Sequence, residues 1–251
     1  MKVLTEERKQ RILTDIDRNG VVQIRELIAQ LDASESTIRR DLGELAKAGL
    51  VRRVHGGAQK ISSLRDEPGV QEKATTHTTA KAAIARAAAN MVADGDLIFL
   101  DAGTTTAQMI PLLQDKDVTV VTTGVDNASL LADYGIKTIM LGGTIKPLTK
   151  AIIGAQAAQQ LAQYRFNSAF IGANGIHIDY GCTTPDPEEA ATKRVAISQA
   201  ACTYMLADAS KFGSVSFAQI APLNTTAIIT DDFTAIDPAF TKLDNIKEAT
   251  L

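Results

Sequence analysis

The sequence predicts an α/β chain in two parts: a small basic module of helices with a short hairpin, then a larger, mostly parallel sheet covered by helices on both faces. Three observations carry this expectation. Charge is divided unevenly, because residues 1–60 hold 12 Lys/Arg against 9 Asp/Glu and the remainder holds 14 against 20, so a net charge of −3 conceals a basic segment joined to an acidic one. Within the first sixty positions apolar residues recur at helical spacing. Beyond residue 70, short runs rich in Ile, Val and Leu alternate with helical stretches, the pattern of a parallel sheet buried on both sides.

At 251 residues with 45% hydrophobic content, the chain can form one large domain or a small and a medium one, and can fill a sizeable core. Trp is absent and aromatics are 4%, so that core is expected to be Ala, Leu, Ile and Val. The opening "MKVLTEERKQ" is charged and lacks an apolar segment, and no run of 18 uncharged apolar residues occurs. The expectation is a cytoplasmic chain with no signal peptide and no membrane partner. Cys182 and Cys202 lack CxxC spacing and read as reduced packing residues. His55, His77 and His177 are scattered and form no ligand set, so neither a metal nor a cofactor is expected.

The small module reads as three helices and a hairpin. Thr5 can cap a helix from Glu6, with Ile12, Leu13 and Ile16 as its apolar stripe and Asn19-Gly20 as its stop. Ile24, Leu27, Ile28 and Leu31 fall at i, i+3, i+4 and i+7 of a second helix. Asp32-Ala33 gives a tight connection, Ser34 caps a third helix running to about Ala48, and Gly49 ends it. With Ile38, Leu42 and Leu45 inward at 100° per residue, Ser36, Arg40, Gly43 and Lys47 centre on the outward face, flanked by Thr37 and Arg39. Such a face fits the major groove of double-stranded DNA, its first turn reaching base edges and Gly43 letting the middle approach closely. "LVRRVHGG", residues 50–57, alternates apolar and basic residues and closes in a turn; it reads as the wing of a winged helix-turn-helix, with Arg52 and Arg53 near phosphates. The plain alternative for one such helix alone is a solvated charged face. The combination of three helices, a tight second turn and a basic wing favours DNA.

These segments resemble the N-terminal domain of the DeoR family of bacterial transcriptional regulators. The resemblance rests on "ERKQRILTDI", on "STIRRDLGELAKAGLVRRVHGGA", and on the order of Arg39-Arg40-Asp41, Gly49-Leu50 and His55-Gly56-Gly57. It implies a DNA-binding role for Ser34, Ser36, Thr37, Arg39, Arg40, Lys47, Arg52, Arg53 and His55. The expected organisation is a reader over residues 1–57, a linker over 58–72 where Ser, Pro and Gly break any stripe, and a second domain over 73–251.

In that second domain a long Ala-rich helix is expected from about Val70 to Val92, on Ile84, Ala88 and Met91. Strands are expected at 97–100, 118–122, 137–143, 168–175, 203–208 and 227–232, with helices around 126–133, 155–164 and 187–201. In such sheets ligands bind beyond the strand C-termini. The loops there are rich in Gly and Thr: "DAGTTT" (101–106), "TTG" (122–124), "GGT" (142–144) and "GANG" (172–175). Gly103 permits close approach of backbone to a ligand, and Thr104, Thr105 and Thr106 offer hydroxyls and helix-start amides suited to phosphate. For one such loop alone, a threonine capping a helix is the simpler account; several together favour a small anion.

"LDAGTTT", "LGGT", "FIGANGI", "TTPDPEEAATKR" and "LADASKFG" extend the family resemblance to its sugar-phosphate effector domain, which is similar in fold to ribose-5-phosphate and glucosamine-6-phosphate isomerases. The resemblance implies that residues 103–106 hold a phosphate. It implies that Lys73, Lys81, Asp208 and Lys211 take part in effector response, with Lys193 facing the pocket and Asp101, Gly142, Gly143 and Asn174 on the lining loops. "YGCTTPDPEEAATK" and "TTGVDNA" look most like the fructose-operon repressors of the family, implying a response to fructose 1-phosphate; the related lactose and tagatose repressors imply tagatose 6-phosphate. The rival class is a sugar-phosphate isomerase with a DNA-binding appendage, which requires a carboxylate base. Asn174 stands in the loop where those isomerases carry acids, while Asp101 and Asp208 remain available as bases. The expected partners are therefore operator DNA, a sugar-phosphate effector and further copies of the chain as a homodimer or homotetramer, with no catalytic residue.

Overall fold

A computed structural model describes residues 5–54, 56–60 and 63–249, without the side chains of residues 17–19 and 60. The chain divides into two compact units, residues 1–63 and 64–251.

The first unit begins with α1 (Thr5–Asn19), β1 (Val21–Gln23), α2 (Ile24–Leu31) and α3 (Glu35–Lys47), followed by β2 (Val51–Val54) and β3 (Gly57–Lys60). Thr5 is already helical. Asp32 makes the α2–α3 turn in the left-handed region, at φ 47°. Ser34 caps α3 by accepting the Thr37 amide at 3.3 Å. Ile12, Ile16, Leu27, Ile38, Leu42, Leu45 and Val51 pack into one buried core. Under it lies a charged pair: the Arg8 guanidinium donates Nη2–H to Asp41 Oδ1 at 3.1 Å and Nε–H to Oδ2 at 2.5 Å, with Asp41 fully buried. Asp41 therefore ties α1 to α3 and does not face outward with its neighbours Arg39 and Arg40.

The wing is a three-stranded sheet, with β3 between β1 and β2. Residues 57–60 belong to it, so the expected boundary at 57/58 falls inside a hairpin. Gly57 is required by this arrangement: a Cβ there would lie 2.0 Å from the Val22 carbonyl oxygen of β1. The expected linker is divided as well. Leu64 accepts the Phe217 amide at 2.8 Å and Val70 donates to the Leu148 carbonyl at 3.0 Å, so residues 64–70 are fastened to the second unit.

That unit starts with α4 (Val70–Thr75) and α5 (Thr78–Ala89). The single helix expected over 70–92 is broken at Thr76-His77, where His77 has φ 52°. The cause is Lys81, which folds back and donates its ammonium protons to the carbonyls of Lys73 and Thr76, closing the end of α4. The chain continues as β4 (Leu97–Leu100), α6 (Thr104–Ala107), β5 (Thr119–Thr122), α7 (Val125–Asp133), β6 (Lys137–Met140), β7 (Thr144–Lys146), β8 (Ala151–Ile153), α8 (Ala155–Leu161), β9 (Phe166–Gly172), β10 (Gly175–His177), β11 (Gly181–Thr184), α9 (Pro187–Gln199), β12 (Ala200–Leu206), β13 (Ala218–Ala221), β14 (Ala227–Thr230), α10 (Pro238–Thr241) and β15 (Ile246–Glu248).

The main sheet has seven strands in the order β15-β14-β12-β9-β4-β5-β6, with every pair parallel. Alternate residues serve two cores. Ile98, Leu100 and Phe170 pack with Ile84, Ala88 and Met109 of one layer; Phe99, Ala169 and Ile171 pack with Leu161, Ala190 and Ala196 of the other. The run expected as one strand over 168–175 is two: β9 ends at Gly172, and β10 leaves for an antiparallel sheet with β11 and β13. Cys182 is a core residue whose thiol is pushed up to about 12, chiefly by burial. Cys202 departs from the packing expectation, since it is exposed. No helix among the described residues is long and apolar enough to cross a membrane.

Candidate functional site

In the first unit, α3 presents Ser36, Arg39, Arg40 and Lys47 to solvent, with Thr37 half-buried beside them. Arg39 is braced by Glu35 at 2.7 Å, one helical turn before it. Arg40 lies 4.0 Å from Glu44 and its side chain keeps 67% of its exposure, so its guanidinium is free to turn outward. Space around Gly43 is open, so a helix surface can approach a flat partner there without a protruding side chain. The wing contacts this helix directly: Arg53 Nη1 donates to the Arg39 carbonyl at 3.4 Å, and Arg52 and Arg53 are both exposed. Ser34 has a structural duty, with its Oγ 2.8 Å from Thr37 Oγ1 in addition to its cap bond. His55 lies outside the described residues.

In the second unit the C-termini of β4 and β9 carry a buried ion pair. Lys193, on α9, donates to Asp101 Oδ2 at 2.5 Å and to the Gly172 carbonyl at 2.8 Å, and Asp101 Oδ2 also accepts the Gly172 amide at 3.0 Å. Gly103 is adjacent, since a Cβ there would lie 3.9 Å from Asp101 Oδ2. Thr104, Thr105 and Thr106 supply the first amides of α6, which no helix can satisfy internally. Their hydroxyls differ from expectation. Thr106 is fully buried, with Oγ1 2.7 Å from the carbonyls of Asp101 and Gly103, so it holds the loop and is not open to a ligand. Asn127, absent from the expected set, donates Nδ2–H to the Asp101 carbonyl at 2.8 Å and fixes the same turn.

Lys73 sits in an environment that depresses its ammonium below the ordinary lysine range. Burial is the main cause; Lys193 and Lys211 add repulsion, while Glu67 and Glu189 oppose it. Lys73, Lys193 and Lys211 thus share one neighbourhood, although they stand on three separate segments. Burial likewise lowers Lys81, against the attraction of Asp208, with Lys211 adding to the lowering. Asp208 is buried and caps the turn carrying Lys211 through the Ser210 amide at 3.1 Å. A dianion bound beside Lys73 would favour its charged form and oppose the depression. Over the pH interval in which Lys73 titrates, above the second ionisation of a phosphomonoester, affinity should fall as pH rises, and calorimetry in buffers of different ionisation enthalpy should register proton uptake. Binding with no proton uptake anywhere across that interval would remove Lys73 from the contact.

Some expected residues have partners of their own. Gly142 donates its amide to Gln160 Oε1 at 3.0 Å, and a Cβ on Gly143 would strike the Ile153 carbonyl at 2.8 Å, so both pack against α8 and β8. Asn174 is held in the β10–β11 hairpin, its Oδ1 accepting from Thr184 at 3.2 Å. A second set was not foreseen. Lys146 bonds Asp186 at 2.8 Å and Glu189 at 3.2 Å and also pairs with Glu67, while Thr149 donates to Glu189 at 2.7 Å. Burial alone would lower Lys146, but Asp186 and Glu67 outweigh it and raise the group above the ordinary range. A cavity of about 350 Å³, lined in part by Arg65, Glu67, Lys146 and Phe217, lies beside this set.

A helix-turn-helix with an exposed basic face, joined to an α/β unit whose strand ends gather buried lysines, defines a DNA-binding protein with its own sensor. Residues 8–64 match the DeoR-like helix-turn-helix domain and residues 76–232 the DeoR C terminal sensor domain. The chain belongs to the DeoR family of transcriptional regulators. It is 48% identical over 231 residues to the uncharacterized HTH-type transcriptional regulator FruR of Bacillus subtilis, covering 92% of each chain. Identity to the HTH-type transcriptional regulator GlpR of Haloferax volcanii is 35%, over 92% of this chain and 91% of that one. The lactose phosphotransferase system repressor of Staphylococcus epidermidis is 33% identical, over 86% and 88%. Among solved structures, ribose 5 phosphate isomerase A from Neisseria gonorrhoeae aligns over 53% of each chain with a TM-score of 0.41 at 19% identity.

Proposed function

We propose that the protein is a repressor of a sugar-utilisation operon, released from its operator by a phosphorylated sugar, fructose 1-phosphate. The observation that carries this reading is Lys193, held at the ends of β4 and β9 on Asp101 beside Gly103 and the start of α6, with the charges of Lys73 and Lys211 close enough to act on one another, a cationic setting that suits a phosphomonoester. The fructose assignment is supported by "YGCTTPDPEEAATK" and "TTGVDNA" and by the 48% identity to a regulator named FruR. The relative named as a lactose phosphotransferase system repressor keeps tagatose 6-phosphate as the competing effector. An isomerase needs a carboxylate base free to move a proton. Asp101 is bonded to Lys193 and Asp208 to Ser210, which supports a sensor instead.

In this reading two copies of α3 occupy successive major-groove faces, about 34 Å apart, within a homodimer or homotetramer. Ser36, Thr37, Arg39 and Arg40 face the bases, with Lys47, Arg52 and Arg53 toward phosphates. Effector and operator oppose each other's binding by the same factor. The test is fluorescence anisotropy on DNA upstream of the regulated genes, with each sugar phosphate added in turn. Release by fructose 1-phosphate at lower concentration than by tagatose 6-phosphate is expected; operator affinity indifferent to both defeats the switch. In the same assay Arg40→Ala should cost about 1–3 kcal/mol and relax sequence preference, while Arg53→Ala should weaken all sequences and flatten the salt dependence. Equal, sequence-blind losses from both would make Arg40 a phosphate contact only.

A further inference from the structure

Glu67 is out of place for a surface carboxylate. Its side chain is 6% exposed, and the two oxygens have different surroundings. Oε2 pairs with Lys146 of the β7–β8 hairpin. Oε1 is buried without a hydrogen bond, and Lys73 Nζ stands 3.8 Å away, beyond bonding distance. A buried carboxylate oxygen left in that state is costly unless something donates to it. Lys73 adjoins Oε1, and Lys73 is the group that also senses Lys193 and Lys211. Oε1 is closed to solvent, so a ligand hydroxyl reaches it by entering between Glu67 and Lys73, where it can donate to Oε1 and accept from Lys73 Nζ.

We propose that Glu67 is a specificity-determining residue of the effector site, its Oε1 accepting a hydroxyl of the bound sugar phosphate. The inference rests on the effector reading above and adds what the lysines lack. Ammonium groups attract any phosphomonoester as point charges, whereas a buried acceptor rewards only a ligand that brings a hydroxyl to it. Its place in the chain gives the contact a second consequence. Glu67 belongs to the 64–70 strap, which follows directly on the first unit and is tied down by Phe217, Lys146 and Leu148. A ligand bonded to Glu67 acts on the segment through which any signal to the reader must pass.

The experiment compares wild type with Glu67→Gln, using isothermal titration of fructose 1-phosphate, tagatose 6-phosphate and, as a phosphate without hydroxyls, ethyl phosphate. For whichever sugar phosphate wild type binds, E67Q should bind at least tenfold more weakly, with its affinity for ethyl phosphate unchanged. A merely structural role would weaken all ligands together, and that result overturns the inference, as does unaltered sugar-phosphate affinity. If E67Q does not fold, Glu67→Asp keeps the charge beside Lys146 while withdrawing the oxygen, and the same ratio decides. Wild type that binds neither sugar phosphate overturns the effector reading and this inference with it; wild type that binds while E67Q is unimpaired overturns the inference alone.

Discussion

Replacing Lys193 by methionine is expected to cost about 3–5 kcal/mol of stability, a fall in melting temperature on the order of 10 °C, and to abolish sugar-phosphate binding. The stability loss has one source. Asp101 and Lys193 are 5% and 7% exposed, and Lys193 Nζ sits 2.5 Å from Asp101 Oδ2. Removing the ammonium leaves a carboxylate in the interior with the Gly172 amide as its remaining recorded donor. Breaking a buried pair from one side is far more damaging than losing the pair's modest net worth. The double variant Lys193→Met, Asp101→Asn should therefore regain much of the stability, because an asparagine can still accept from Gly172 while carrying no charge, and it should still fail to bind the effector. A double-mutant cycle on thermal unfolding measures this coupling. A single variant that melts within about 2 °C of wild type would mean that water reaches Asp101 and the pair is not dry.

Asp41→Asn is expected to eliminate operator binding although its side chain points into the core. Arg8 and Asp41 form a bidentate pair joining α1 to α3, and Asp41 is wholly inaccessible. The substitution leaves the Arg8 guanidinium without its counter-charge in a domain of about sixty residues, whose total stability is small, so roughly 3–5 kcal/mol is enough to unfold it. The second unit has its own cores, and sugar-phosphate binding should persist. Anisotropy and ligand-dependent melting on the same preparation separate the two. Undiminished operator affinity would show that α3 is positioned by its apolar contacts alone.

The contrast between these residues and what periodicity revealed has a physical basis. α3 was legible because Ser34, Ile38, Leu42, Leu45 and Gly49 are local signals, each acting within a turn or two. The strands of the main sheet were legible because burial on both faces leaves continuous apolar runs. Asp41 carried a readable sign, since it is three residues beyond Ile38 on the apolar side, but a charge there is ordinarily taken as solvated. β1 is three residues long and has no pattern of its own; Gly57, under which it pairs, explains it only in three dimensions. The break at His77 opposes the local propensity of an Ala-rich stretch and exists because Lys81 reaches back to the carbonyls ahead of it. Glu67, Lys146 and Glu189 are far apart in sequence and meet only because the hairpin folds against the start of α9. Loop composition located the strand ends, but it did not distinguish Thr106, turned inward, from its neighbours.

Because β3 is sandwiched between β1 and β2, with Gly57 pressed against Val22, the wing is not a hinged flap. Tilting it would drag the joint between the first two helices and disrupt the packing under α3. The bond from Arg53 to the Arg39 carbonyl then fixes the wing against α3. In the proposed switch, regulation would then act outside the head, on how two heads are aimed and not on how either is shaped.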